Sequence, residues 1–140
     1  MLSRWMAAAA IGASMTVSAE AQTMSENQVL ERGREVIGLW WDADGDGLWA
    51  TMTPEFQQQL GSVVPLLDNR DNLLDQFGGE AEVLEERVIP AGGNMAYWRV
   101  VELEDGPEPF VLQLVITPDG LVAMGRGGFM SEIGGPPEAE

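Results

Sequence analysis

The run Asp42-Ala43-Asp44-Gly45-Asp46-Gly47 is the segment whose residue types and spacing come closest to a defined chemistry. Carboxylates at positions one, three and five of a tight turn, with glycine at six, reproduce the first half of a calcium loop. Hard oxygens clustered on a sharp bend suit Ca²⁺. The second half departs from the pattern. Position twelve, where a bidentate glutamate belongs, is Thr53, position eight is Trp49, and Glu55 stands two residues too far along. Asp42, Asp44 and Asp46 are therefore candidate Ca²⁺ ligands, set against the plainer reading of a solvated turn that breaks a helix.

A second group of candidates is aromatic. Trp41, Trp49, Phe56, Tyr97, Trp98 and Phe110 are large side chains for so short a chain, and each ring buries a large area when it enters a core. Trp40 and Trp41 are adjacent, so both cannot face the same side of a helix. These six residues are the candidate lining of a ligand pocket.

Composition removes most other chemistries. The chain has no histidine, no cysteine and no lysine, and its seven cations are all arginine. Ser-His and Cys-His pairs, thiolate zinc sites, disulfides, Schiff bases and a lysine general base are thereby excluded. Acid–base work would fall to carboxylates or to Tyr97, with Glu86 or Glu102 as strand-borne candidates. With 23 acids the formal net charge is −16, which argues against nucleic acid and anionic membrane surfaces as partners. Glu85, Glu86, Arg87 and Arg99 read as cross-strand ion pairs.

The elements that must position these groups follow a simple order. Met1–Thr23 has Arg4 ahead of an apolar run from Trp5 to about Val17, then Ser18-Ala19-Glu20-Ala21. That is the layout of a secretory signal peptide spanning residues 1–21, with an apolar run short of the roughly 20 residues that cross a bilayer. A periplasmic or secreted protein, free of the membrane once the signal is cleaved, is expected. Ser25 and Gln28 have the spacing of a capping box opening a helix to about Trp41, with Val29, Gly33, Val36, Ile37 and Trp40 on one face. A short helical turn over Leu48–Met52 is expected next, then a helix from the cap Thr53 and Pro54 that turns Phe56 and Leu60 inward. A further helix should start at Asp68 or Asn69 and end at Gly78-Gly79.

From Glu80 the period changes to two. Strands are predicted over Glu82–Ile89, Met95–Leu103, Phe110–Thr117 and Leu121–Phe129, separated by short turns that imply an antiparallel meander. The fold class is α+β, with N-terminal helices on a curved antiparallel sheet of about four strands. One domain covers 25–130, and residues 131–140 read as a flexible acidic tail.

A helix ending in aromatics and an acidic/Gly turn is followed by Leu48-Trp49-Ala50-Thr51-Met52-Thr53-Pro54-Glu55, by Phe77-Gly78-Gly79, and by a meander whose last turn is Asp119-Gly120. Over roughly residues 25–129 this resembles the nuclear-transport-factor-2-like superfamily, which includes ketosteroid isomerase and SnoaL-type cyclases. It is most similar to the uncharacterised secreted type attached to β-lactamase-like serine hydrolases. The resemblance implies a cone-shaped, cystatin-like fold with a pocket between sheet and helices, and it implies no activity, since that fold hosts many. The expected function is a secreted, non-enzymatic binding module that holds a small apolar ligand or another protein. A cofactor-free isomerase, dehydratase or cyclase using a buried carboxylate, and a calcium-stabilised extracellular module, are the alternatives. An open sheet face would also admit a homodimer.

Overall fold

A computed structural model describes residues 24–137; the segment 1–21 expected to be a signal peptide and the last three residues of the expected acidic tail lie outside the described residues. Among the described residues four helices precede a four-stranded antiparallel meander, giving the α+β layout expected from the sequence. Helix α1 spans Glu26–Trp41, α2 Gly45–Ala50, α3 Pro54–Leu60 and α4 Val64–Phe77. Strands β1 (Glu80–Ala91), β2 (Asn94–Leu103), β3 (Phe110–Ile116) and β4 (Val122–Phe129) lie side by side in chain order. No helix among the described residues is long and apolar enough to cross a membrane.

Helix α1 starts where its capping box places it. Ser25 Oγ accepts from Gln28 N at 3.2 Å, and Gln28 Oε1 accepts from Ser25 N at 2.8 Å. Its buried stripe is Val29, Gly33, Val36 and Ile37. Glycine at 33 is required by close approach: a Cβ there would lie 2.5 Å from Cγ of Tyr97. The fully buried tyrosine ring therefore occupies the space that a side chain on α1 would take.

Three local expectations are corrected. The short helical turn expected over Leu48–Met52 is present as α2 but begins earlier, at Gly45, because Asp44 caps it, its Oδ1 accepting from Gly47 N at 3.0 Å. The last N-terminal helix begins at Val64 rather than at Asp68 or Asn69. Pro65 in its first turn has φ already set for a helix, and the preceding Val63 offers no side-chain cap. The tail expected from residue 131 opens with a fifth helix, α5 (Met130–Ile133). Its apolar residues give it something to pack on. Met130 and Ile133 cover a second small core of Ala96, Trp98, Val100 and Val111 on the outer face of the sheet.

The main core lies between the sheet and the helices. Val29, Val36 and Ile37 of α1, Leu48, Met52 and Phe56 meet Tyr97, Val101 and Leu103 of β2 and Phe110, Leu112, Leu114 and Ile116 of β3. Alternation along the strands sorts the residues: Tyr97 and Val101 face the helices, while Ala96, Trp98 and Val100 face away.

Candidate functional site

Two sites lie under α1, and they differ in kind. Over β1 and β2 the space is filled by polar side chains. Arg34 of α1 donates to Glu86 from Nη2 to Oε1 at 2.7 Å and from Nε to Oε2 at 3.0 Å. The Tyr97 hydroxyl donates to Glu86 Oε2 at 2.5 Å, and Arg99 Nη1 donates to the same oxygen at 2.9 Å. Arg99 also grips Glu80 through two bonds of 2.8 and 3.0 Å, and Trp41 Nε1 donates to Glu80 Oε2 at 2.8 Å. Arg99 stands directly opposite Glu86 in the ladder, which is what brings these groups together.

The electrostatics follow from that geometry. The Arg34 guanidinium above all, helped by the Tyr97 hydroxyl and by Arg99, holds the Glu86 carboxyl down at about 2 against partial burial, which pushes the other way. Burial and the bond to Glu86 push the Tyr97 hydroxyl above its ordinary range. The carboxylate beside the tyrosine is therefore firmly ionised, and a carboxylate of that strength is a weak base. Glu102, the other strand carboxylate, is exposed.

Over β3 and β4 the space is hollow. A cavity of about 650 Å³ lies between the two strands and the helices. Trp40 of α1, Phe56 of α3, Leu66 and Leu73 of α4, and Phe110 and Leu112 of β3 supply much of its apolar wall. Asn69, Gln76, Arg126, Gly127 and Glu132 line it and are exposed, so its mouth lies between α4 and β4. The charged residues in the lining are Arg126 and Glu132. The volume falls within the roughly 300–1,000 Å³ of small-molecule sites, and the mostly apolar wall with a few polar groups at the rim is their usual chemistry.

The hollow has a sequence cause. Leu112 pairs with Gly127 and Leu114 with Gly125, so β4 places glycine at two successive positions on the helix side. Across from them, none of the residues of α4 is fully buried. The β3 side chains lean over these glycines, so that a Cβ at Gly125 would lie 3.1 Å from Leu114 and one at Gly127 3.1 Å from Leu112, and β4 raises no side chain of its own toward α4 there.

The structure divides the six aromatic candidates. Phe56 and Phe110 line the cavity; Trp41, Trp49, Tyr97 and Trp98 do not. Trp41 is seven residues from Arg34 and shares its stripe, so it reaches the polar cluster, and Trp40 takes the cavity side with Val36 and Ile37. The Trp40 indole also donates to Leu66 O at 2.8 Å, tying α1 to α4. Trp49 packs at the margin of the main core, Tyr97 lies under α1 over the other half of the sheet, and Trp98 faces outward. The glycines of β4 and the apolar face of α4 belong to the cavity as well, and the aromatic pattern of the sequence does not point to them. The visible signal was Gly125-Arg126-Gly127-Gly128 inside a strand, since glycine within a strand marks close approach or missing packing.

The aspartate run is a junction between helices. Asp44 N donates to Leu39 O at 3.0 Å and Ala43 N to Trp40 O at 3.1 Å, with Ala43 at φ 59°, which is the Schellman arrangement that ends α1. Asp44 then turns its carboxylate inward to cap α2. Among the described residues no group of three or more acids, histidines or cysteines stands where it could hold a metal ion.

Compared with protein-family models, curated protein sequences and solved structures, the chain matches none.

Proposed function

We propose that this chain is an exported, non-enzymatic binding module whose cavity between α4 and β4 takes a small apolar ligand or an apolar group of a protein partner. The observation that carries this reading is an apolar cavity of about 650 Å³ whose charged residues, Arg126 and Glu132, stand at its exposed mouth. Apolar burial supplies the affinity, and the polar rim orients what enters. Export rests on the signal-like leader at residues 1–21, and membership of the nuclear-transport-factor-2-like superfamily rests on the resemblance; the helices-then-meander order agrees with it. The enzymatic alternative draws little support, because the carboxylate beside Tyr97 is held near 2 by Arg34 and lies outside the cavity.

The test is fluorescence titration with the neutral dye N-phenyl-1-naphthylamine. Saturable one-to-one binding with a blue-shifted emission is expected, together with a raised melting midpoint. Linkage gives about 2.7 kcal/mol at a hundredfold excess over the dissociation constant. Leu73→Trp, which fills the cavity from α4, should abolish binding while the protein still melts cooperatively. Non-saturable dye uptake, or binding untouched by Leu73→Trp, would overturn the reading.

A further inference from the structure

The mouth of the cavity is bounded on one side by the outer edge of β4, and the register shows which backbone groups that edge presents. Met130 N donates to Pro109 O at 2.9 Å, one step beyond the pair Phe110–Phe129. Hydrogen-bonded and non-bonded pairs alternate along an antiparallel ladder. The bonded pairs are therefore Val111–Gly128, Gln113–Arg126 and Val115–Met124, and Gly125, Gly127 and Phe129 aim their N–H and C=O groups away from β3. A side-chain contact agrees with this, since Phe129 N donates outward to Glu132 Oε1 at 3.0 Å.

Both ends of this edge are occupied. Val122 N donates to Thr51 O at 2.8 Å and Val122 O accepts from Thr53 N at 2.9 Å, while Glu132 takes Phe129 N. Between them, the outward groups of Gly125 and Gly127 meet no partner among the described residues. Free strand edges are ordinarily blocked by charge, proline or a covering element. Here the unblocked positions are glycines, which let another backbone approach closely. They also stand beside the cavity rather than beside solvent alone.

We propose that β4 accepts an extended, cationic peptide segment of a protein partner as a fifth strand, which seats its alternate apolar side chains in the cavity. In that arrangement a residue directly opposite Gly125 or Gly127 turns its backbone to β4 and its side chain to the helix side, where the cavity lies. The charge is set by the opposite wall. Helix α4 presents exposed Asp68 and Asp75 beside the mouth residues Asn69 and Gln76. Its one cation, Arg70, is turned away to Trp41 O at 2.7 Å and to Asp71. On β4, Arg126 donates to Gln113 Oε1 at 2.7 Å. A second copy would bring a net charge of −16 against the same charge, which disfavours self-pairing through this edge. This proposal rests on the cavity reading, because the peptide's apolar side chains need that space.

The experiment uses a synthetic peptide, acetyl-Arg-Val-Arg-Leu-Arg-Val-Arg-amide, titrated calorimetrically against the exported chain. Two derivatives carry the same charge and apolar content: one N-methylated at its apolar residues, the other N-methylated at its internal arginines. Saturable one-to-one binding is expected, with at least tenfold loss for the first derivative and little change for the second. Binding should protect the Gly125 and Gly127 amides from hydrogen exchange and displace N-phenyl-1-naphthylamine. Gly127→Pro removes one outward N–H without breaking a bond to β3, and should weaken binding about tenfold. Equal affinity for both methylated derivatives would mean attraction by charge alone and would sink the proposal, as would absence of binding. If the dye still saturates in that case, the cavity reading survives and only the strand addition falls. A dimer by sedimentation that Gly127→Pro dissociates would assign the edge to a second copy and overturn the peptide reading.

Discussion

The half of the sheet formed by β1 and β2 and the half formed by β3 and β4 lie under the same helix and are finished in opposite ways. Over the first, a glycine on the helix lets a tyrosine ring press against α1, and Arg34, Arg99, Glu80 and Glu86 close the remaining space with ion pairs. Over the second, the glycines are on the strand, no ion pair among the described residues spans the gap, and a cavity remains. Glycine thus permits close contact in both halves, a ring against the helix in the first and the β3 side chains lying over β4 in the second. What differs is whether the opposing wall supplies a side chain to fill the space. Stability should concentrate in the first half and ligand response in the second.

The strongest way to break this contrast is to put a methyl group on each side of α1. Gly33→Ala places a Cβ within 2.7 Å of three Tyr97 ring atoms, and a buried ring cannot move aside cheaply. A loss of about 3 kcal/mol is expected, at the upper end of overpacking costs. Gly38, on the same helix, has open space around it. Gly38→Ala should instead raise stability by about 0.5–1 kcal/mol through helix propensity. Chemical denaturation of both variants checks the pair. Equal responses would mean that α1 does not rest on Tyr97.

The ion-pair cluster gives the next largest effect and a pH signature. The Glu86 carboxyl titrates near 2 in the folded chain against an ordinary 4.5. A group with a depressed folded pKa contributes stability that is present above its unfolded value and lost as pH falls through the folded one. Melting midpoints should accordingly fall between about pH 5 and 2, and part of that fall should vanish in Glu86→Gln. At neutral pH the same variant should lose about 2 kcal/mol, the scale of hydrogen bonds to a charged group. Dye binding in the cavity should be unchanged. If Glu86→Gln weakened the dye instead, the two halves would be coupled and the contrast between them would blur.

How much of this was legible depends on which physical signal was local. The capping box at Ser25, the Thr53-Pro54 helix start and the four alternating strands are written in adjacent residues, and all appear in the fold. The pocket residues were harder. Trp40 and Trp41 differ by one step of helix rotation, and only the docking of α1 decides which one meets the cavity. Tyr97 and Trp98 differ by strand parity, and their assignment needs the identity of the neighbouring strand as well as the alternation. The cavity itself lies where Gly125 and Gly127 raise no side chain toward a helix that leaves none of its residues fully buried, and such a gap carries no hydrophobic pattern to read. The polar cluster joins Arg34 to Glu86 across 52 positions, a separation that no spacing rule reaches.

The smallest effect concerns the junction that apportions the two tryptophans, one to each half. Ala43 holds φ 59° to end α1, a left-handed conformation that glycine adopts more readily than alanine. Ala43→Gly should therefore raise stability by about 0.5–1 kcal/mol, even though it also adds freedom to the unfolded chain. If the Asp42–Asp46 run acts as a helix junction, that gain should be the same with calcium, with magnesium and with a chelator. Asp44→Ala should cost about 1 kcal/mol in all three solutions, through the lost cap on Gly47 N. A calcium-specific rise in the melting midpoint that Asp44→Ala removes would instead make the run a cation site. Its carboxylates would then have to turn outward from the positions seen here, and Asp44 would give up its bond to the start of α2 to do so.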